Sequence, residues 1–347
     1  MKGDRNIVLV TPGFPKDESD HLCMPYLQEY LKHMLQHHPE IRFRVVSIHY
    51  PYQPKEYEWN GIEVVALGGN NNRFPARLMT WRKALRALDR FQTSAKIDVV
   101  HSLWLNECTY LAQRWTRKNN IKLIATAMGQ DVLSDNRYLN RIDLSALASV
   151  AVSNWQNEKL KEASGVSCDH IISWGLDALK TQGSSRDIDI LGVGSFTKLK
   201  DFETFLKVVK AVGKQRSGLN VMLIGYGPER EGLERLARDL GLEKTVQFTG
   251  ELPRPKVLQY MQRSKVLLHP SKYESQGYVF NEALACGMGV VSREVGIAQK
   301  SERWKIAGSE VEMAEAVMEL IGQSFEPMSI QPLEDTAEAY IKLYYSI

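Results

Sequence analysis

The chain has 347 residues, 44% of them hydrophobic and 24% charged, with a formal net charge of +3. That is enough apolar material for two ordinary domains, and the charge is too small for a nucleic-acid binder, whose footprint is a strong basic excess. No apolar run approaches the roughly 18 residues that span a bilayer. The four cysteines, Cys23, Cys108, Cys168 and Cys286, stand too far apart for a C-x-x-C metal or redox pair and read as small apolar residues of a reducing compartment.

The N-terminus passes directly into an apolar run, without the charged and hydrophobic regions of a signal peptide, so a cytoplasmic protein is expected. Apolar runs at 7–11, 43–48, 62–67, 97–101, 122–126 and 150–153 predict strands, and the amphipathic stretches 25–36 and 108–118 predict helices between them. This is the rhythm of a parallel sheet covered by helices. Segment 73–91 predicts a basic amphipathic helix. Phe74, Leu78, Trp81, Leu85 and Leu88 form one stripe, flanked by Arg77, Arg82, Lys83, Arg86 and Arg90. Docking that stripe on the sheet is the ordinary role; peripheral contact with the inner face of a membrane, or with a lipid-linked acceptor, is the alternative.

After a polar break at 180–187 the rhythm restarts. Strands are predicted at 188–192, 221–224, 246–248, 266–269 and 289–292, helices at 202–214 and 229–240, and a last helix at 333–345. The expected domains are 1–178, 179–330 and a C-terminal helix, 331–347, packing back on the N-terminal domain. The expected fold class is α/β, with two facing doubly wound parallel-sheet (Rossmann-like) domains and an interdomain cleft, since such sheets bind ligands beyond the carboxyl ends of their strands. His21, His33, His37, His38, His49 and His170 are scattered and read as surface or structural residues, with no metal site among them.

The most informative run is 269–287, HPSKYESQGYVFNEALACG. An apolar strand ends in a polar turn, a glycine follows, and a helix begins. Glu274 lies in the loop and Glu282 in the helix, with seven residues between them. The first turn of a helix offers unpaired N–H groups and the positive end of its dipole, which suit a diphosphate. Gly277 has no Cβ to keep a ligand at a distance. Carboxylates beside such a site accept hydrogen bonds from sugar and ribose hydroxyls.

This run resembles the E-x7-E signature of the retaining GT-B glycosyltransferases of family 4, the group 1 family. LGVGSFTKLK at 191–200 is similar to that family's first nucleotide-domain strand and loop, MLIGYGPER at 222–230 to its Gly-x-Gly-Pro-Glu turn, and VQFTGEL at 246–252 to its nucleobase loop. ACGMGVV at 285–291 resembles the strand entry after the signature helix. The resemblance implies a sugar transferred from a nucleoside diphosphate to a hydroxyl with retention of configuration and without a metal. Glu274 and Lys200 would be the catalytic pair. Glu282, Ser275, Gln276, Gly277, Tyr278, Ser195, Gly225, Glu251 and Leu252 would bind the donor. No cofactor is implied; the partners are a nucleotide-sugar and a sugar or lipid-linked sugar acceptor, in cell-surface polysaccharide or glycolipid synthesis.

The N-terminal half resembles the family less closely. DVVHSLW at 98–104 and ATAMGQD at 125–131 are similar to its strand ends, which implies that Gly13, His101, Trp104, Met128 and Asp131 line the acceptor side. Met128 replaces the family's histidine and lacks its hydrogen-bonding capacity. Ser195 replaces an arginine, and Trp174-Gly175-Leu176-Asp177 replaces an Asn-Gly-x-Asp run. These departures imply an alternative, a catalytically impaired relative that binds a sugar nucleotide as a regulatory or partner subunit.

Overall fold

A computed structural model describes residues 3–179 and 185–347, so 180–184, the first part of the predicted polar break, lie outside the described residues. In chain order the first elements are β1 (Arg5–Gly13), α1 (Pro25–His37), β2 (Ile41–Tyr50), β3 (Lys55–Trp59), β4 (Ile62–Ala66) and α2 (Ala76–Ser94). Then come β5 (Val99–Leu103), α3 (Glu107–Asn119), β6 (Lys122–Thr126), β7 (Ala148–Ala151), α4 (Asn154–Ser164) and β8 (His170–Ile171). They build a sheet of order β3-β4-β2-β1-β5-β6-β7-β8, parallel except for the β3–β4 hairpin at its edge.

The second set is β9 (Ile188–Val193), α5 (Phe202–Gly213), β10 (Val221–Ile224), α6 (Arg230–Asp239), β11 (Val246–Gly250), α7 (Arg254–Gln262), β12 (Ser264–His269), α8 (Tyr278–Ala285), β13 (Gly289–Ser292), β14 (Trp304–Ile306) and α9 (Glu310–Leu320). Its sheet is wholly parallel, in the order β11-β10-β9-β12-β13-β14. The last helix, α10 (Leu333–Ser346), belongs to the first unit. The two compact units are therefore Met1–Gly175 with Leu333–Ile347, and Leu176–Pro332.

In the N-terminal unit Val8, Val10, Val46 and Val100 on the sheet pack against Leu88 and Phe91 of α2 and Trp115 of α3. Helix α10 buries Leu333, Ala337, Tyr340 and Tyr344. Its tyrosines cannot enter a core with idle hydroxyls. The Tyr340 hydroxyl meets Thr126 Oγ1 at 3.0 Å, and the Tyr344 hydroxyl meets His101 Nδ1 at 2.9 Å. Replacing Tyr340 by Phe keeps the packing and deletes one buried hydrogen bond; the expected cost is about 1 kcal/mol of unfolding free energy, read from urea titration.

In the C-terminal unit Phe202, Phe205, Val209 and Val212 of α5 and Met313, Val317 and Leu320 of α9 cover one face of the sheet. The strand order reverses between β9 and β12. Both run parallel, so their carboxyl ends, Val193 and His269, open side by side into one crevice, the place where doubly wound sheets hold ligands.

Candidate donor site in the C-terminal unit

Two loops leave that crevice. One carries Lys200 between β9 and α5; the other carries Glu274 between β12 and α8. They are stitched together by backbone: Lys272 N–H donates to the Leu199 carbonyl at 2.7 Å, and Ser271 Oγ donates to the same oxygen at 3.2 Å. Arg293, just after β13, adds a brace. It bonds Asp201 Oδ2 at 2.9 Å and the Pro270 carbonyl, so one guanidinium links both loops.

This scaffold brings Lys200 Nζ against Glu274 Oε1. His269 Nε2 meets the same oxygen at 2.7 Å. Glu274 Oε2 has no partner among the described residues, and Lys200 has two further N–H bonds to offer a ligand. Glu274 is 8% exposed. Burial pushes its carboxyl up, but the Lys200 charge and the hydrogen bonds from His269 and Lys200 outweigh that and hold its pKa at about 2. His269 is fully buried, and burial lowers its pKa against the opposing pull of Glu274. The imidazole is thus neutral at pH 7, and Nε2–H donates to the carboxylate.

Helix α8 begins four residues after Glu274, so the positive end of its dipole lies beside this loop. The turn depends on Gly277. Its φ is +79°, and an added Cβ would stand 2.4 Å from the Phe280 ring. Gln276 is held from the other side, its carbonyl accepting from Ile297 N–H at 2.9 Å. One turn into α8, Glu282 is buried and accepts from Arg254 Nε at 2.6 Å, while the Arg254 guanidinium lies 5.6 Å from the centre of the Tyr278 ring. Ser275 and Tyr278 are half-buried along the same loop.

The remaining residues expected on the donor side sit on the same carboxyl edge of the sheet. The loops after β9 and β10 nest so closely that a Cβ on Gly225 (φ +151°) would fall 1.9 Å from the Gly194 carbonyl oxygen. Gly225 N–H also reaches the Gly250 carbonyl at 3.0 Å, which sets Glu251 and Leu252 at the start of the next loop. Ser195 is exposed beside this nest. His269, Arg254 and Arg293 were not among the expected site residues. The available signal for His269 was a polar residue ending an apolar strand five positions before Glu274.

In the N-terminal unit the expected acceptor residues lie on β1 and β5 and in the segments that follow β5 and β6. Gly13 closes β1, and Trp104 follows β5 with φ +70° and its N–H on the Thr126 carbonyl at 2.8 Å. Met128 is buried. Asp131 is buried too, accepting backbone N–H bonds from Leu105 and Gly129, both at 2.6 Å, and from Met128 at 3.2 Å. It therefore ties two loops together. Burial raises its pKa even against those bonds. His101 is 1% exposed and uses both ring nitrogens, Nε2 meeting Thr126 Oγ1 at 2.8 Å; burial lowers its pKa to about 3. Trp174 is also a core residue, with its ring among Tyr26, Tyr30 and Tyr340.

Residues 179–312 match the family model described as Glycosyl transferases group 1. A D-inositol 3-phosphate glycosyltransferase of Kribbella flavida is 28% identical over 267 residues, 66% of this chain and 62% of that protein. An uncharacterized glycosyltransferase of Haemophilus influenzae is 35% identical over 104 residues, 30% of this chain and 29% of its own length. The matches thus span less than two thirds of either relative. Among solved structures, a sucrose-phosphate synthase from Thermosynechococcus elongatus superposes with a TM-score of 0.71 at 17% identity, covering 98% of both chains. Anabaena Alr3699/HepE in complex with UDP and glucose gives 0.71 at 15% identity, covering 98% of this chain and 100% of that one. The chain has the GT-B fold, and its C-terminal unit is similar to the group 1 glycosyltransferases over residues 179–312.

Proposed function

We propose that this protein is a retaining, metal-independent glycosyltransferase that needs no cofactor and moves a hexosyl group from a nucleoside-diphosphate sugar to a hydroxyl acceptor. One observation carries the reading. Lys200 and His269 converge on Oε1 of a buried, ionised Glu274 at the switch point of the sheet, leaving Oε2 and two Lys200 donors for a ligand. In this reading Lys200 and the α8 dipole neutralise charge developing on the departing diphosphate, Glu274 Oε2 accepts from a sugar hydroxyl, and Glu282 accepts from the ribose. Ser275 to Tyr278, Ser195, Gly225, Glu251 and Leu252 line the donor pocket, and Gly13, Trp104 and Met128 the acceptor side.

The acceptor is a sugar or lipid-linked sugar, and the setting is cell-surface polysaccharide or glycolipid synthesis in the cytoplasm, at the inner face of the membrane. Supporting this, Phe74, Leu78 and Met79 are exposed at the start of α2, 77%, 38% and 62% respectively, beside Arg82 and Arg86. A cavity of about 430 Å³ lined by α2 and the β3–β4 hairpin also presents Lys83 and Arg86 over Val65, Leu67 and Ala87, with Arg90 held by Glu56 and Glu63, which suits a phosphate-bearing acceptor.

A donor screen tests the reading. In EDTA, UDP-sugars are tried first because Anabaena HepE binds UDP and glucose, with acceptors presented free and in anionic vesicles. Donor-dependent stabilisation and release of nucleoside diphosphate are expected, with donor affinity about tenfold or more weaker in Glu282→Ala as a charged hydrogen bond is lost. Stabilisation without turnover across the panel would favour the impaired, regulatory relative that Met128 and Ser195 bring to mind. No stabilisation by any sugar nucleotide would sink both.

A further inference from the structure

The end of α1 carries three histidines within six residues, His33, His37 and His38. Helical spacing puts His33 and His37 one turn apart on one face, with ring centres separated by 4.6 Å; the His38 ring is 6.2 Å from that of His33. Glu334, in the first turn of α10, completes the group, with Oε2 standing 3.0 Å from His33 Nε2. One ligating atom from each of His33, His38 and Glu334 lies within 4.8 Å of the others. A second observation points the same way. His38 Nε2 is buried with no hydrogen-bond partner among the described residues, while its Nδ1 lies 3.6 Å from Glu40 Oε1. A carboxylate behind one ring nitrogen, with the other left open, is how a ligating histidine is oriented.

We propose that His33, His38 and Glu334 form a binding site for a borderline divalent ion of the Zn²⁺ class, tying the end of α1 to the start of α10. Tetrahedral bonds of about 2.0 Å set ligand atoms roughly 3.3 Å apart. The His33–Glu334 pair already has nearly that edge, and the third atom reaches it by side-chain rotation, which exposed Glu334 and half-buried His38 permit. Two imidazole nitrogens and one carboxylate oxygen select against Ca²⁺ and Mg²⁺, which require more oxygens. Water supplies the fourth ligand. The proposal replaces the expectation that these histidines are scattered surface or structural residues: they are five positions apart at most, and the fold brings Glu334 to them from the far end of the chain. The site lies within the N-terminal unit and does not depend on the transferase reading.

The test uses the full chain without a histidine tag. Zn²⁺ binding is measured by calorimetry and thermal unfolding, and Co²⁺ by the visible absorption of a tetrahedral site. The expected result is one equivalent bound, a rise of a few degrees in Tm that EDTA reverses, and affinity lowered about tenfold or more in His38→Ala and in Glu334→Gln. If His38→Ala fails to fold, the exposed Glu334→Gln variant decides. Absence of a one-equivalent Co²⁺ spectrum, or equal binding in Glu334→Gln, overturns the proposal. A Tm that EDTA leaves unchanged in the metal-loaded protein likewise overturns the site.

Discussion

Lys200→Ala is expected to lower kcat by roughly 10²- to 10³-fold, the usual cost of removing one charge-stabilising donor from a preorganised site. Donor affinity is expected to fall less, because the α8 N-terminus and Glu282 remain. The effect is large because the C-terminal unit offers few replacements. Ser195 brings no charge; Arg293 is committed to Asp201 and Pro270, and Arg254 to Glu282. The variant also has a pH signature. Burial pushes the Glu274 carboxyl up, and the Lys200 charge is the leading influence holding it at about 2. Without Lys200 the folded-state pKa rises, so the ionised form is lost at higher pH as acid is added. The acid limb of the kcat profile therefore moves upward in the variant. Lys200→Arg keeps the charge but not the compact ammonium geometry, and is expected to restore the acid limb while recovering only part of kcat. Steady-state kinetics across pH would read both effects; a Lys200→Ala enzyme retaining a third of wild-type turnover would remove Lys200 from the chemistry.

Much of this organisation was legible in the sequence because buried parallel strands read as continuous apolar runs. Residues 221–224 and 122–126 were predicted with the bounds the structure has, and helix 25–36 with one residue too few. What escaped lacks that signal. β3 is Lys-Glu-Tyr-Glu-Trp, a charged edge strand paired on one side only, and β14 is three residues long. The basic segment shows how a stripe can mislead. It begins at Ala76, not 73, so Phe74 and Pro75 stand outside the helix, and α2 sends Trp81, Leu85 and Leu88 onto the core but leaves Leu78 exposed. Lys200, Glu274 and Glu282 were expected site residues through the family resemblance, and the structure brings Lys200 and Glu274 into contact. Arg254 and His269 were not, since their importance lies in contacts 28 residues apart and on a buried strand end. His33, His38 and Glu334 were invisible for the same reason, with about 300 residues between partners.

His269→Leu is expected to lower kcat by about 10²-fold with the fold intact, the scale on which a misplacement near 1 Å acts. His269 touches no ligand in the proposed chemistry; it is a positioning residue. Its Nε2–H fixes Glu274 Oε1, leaving Oε2 turned to a sugar hydroxyl, and without it the carboxylate is held from the Lys200 side alone. The histidine is costly to keep there. Nδ1 is buried without a hydrogen-bond partner among the described residues, at about 1–3 kcal/mol, and the ring is wedged edge-on against Phe280 at 5.3 Å. Leucine would remove the orphaned nitrogen, so stability at pH 7 is expected to change little while activity falls. That split distinguishes positioning from packing. The pH dependence has a definite sign. Losing the donor raises the depressed pKa of Glu274, so stability present above the ordinary carboxylate range is lost at a less acid pH, and the acid limb of activity moves up with it. His269→Gln places an amide N–H near Nε2 and is expected to recover most of the turnover and return the acid limb toward the wild-type position. If Leu and Gln lose activity equally, with no movement of the acid limb, the His269–Glu274 bond serves packing and not catalysis.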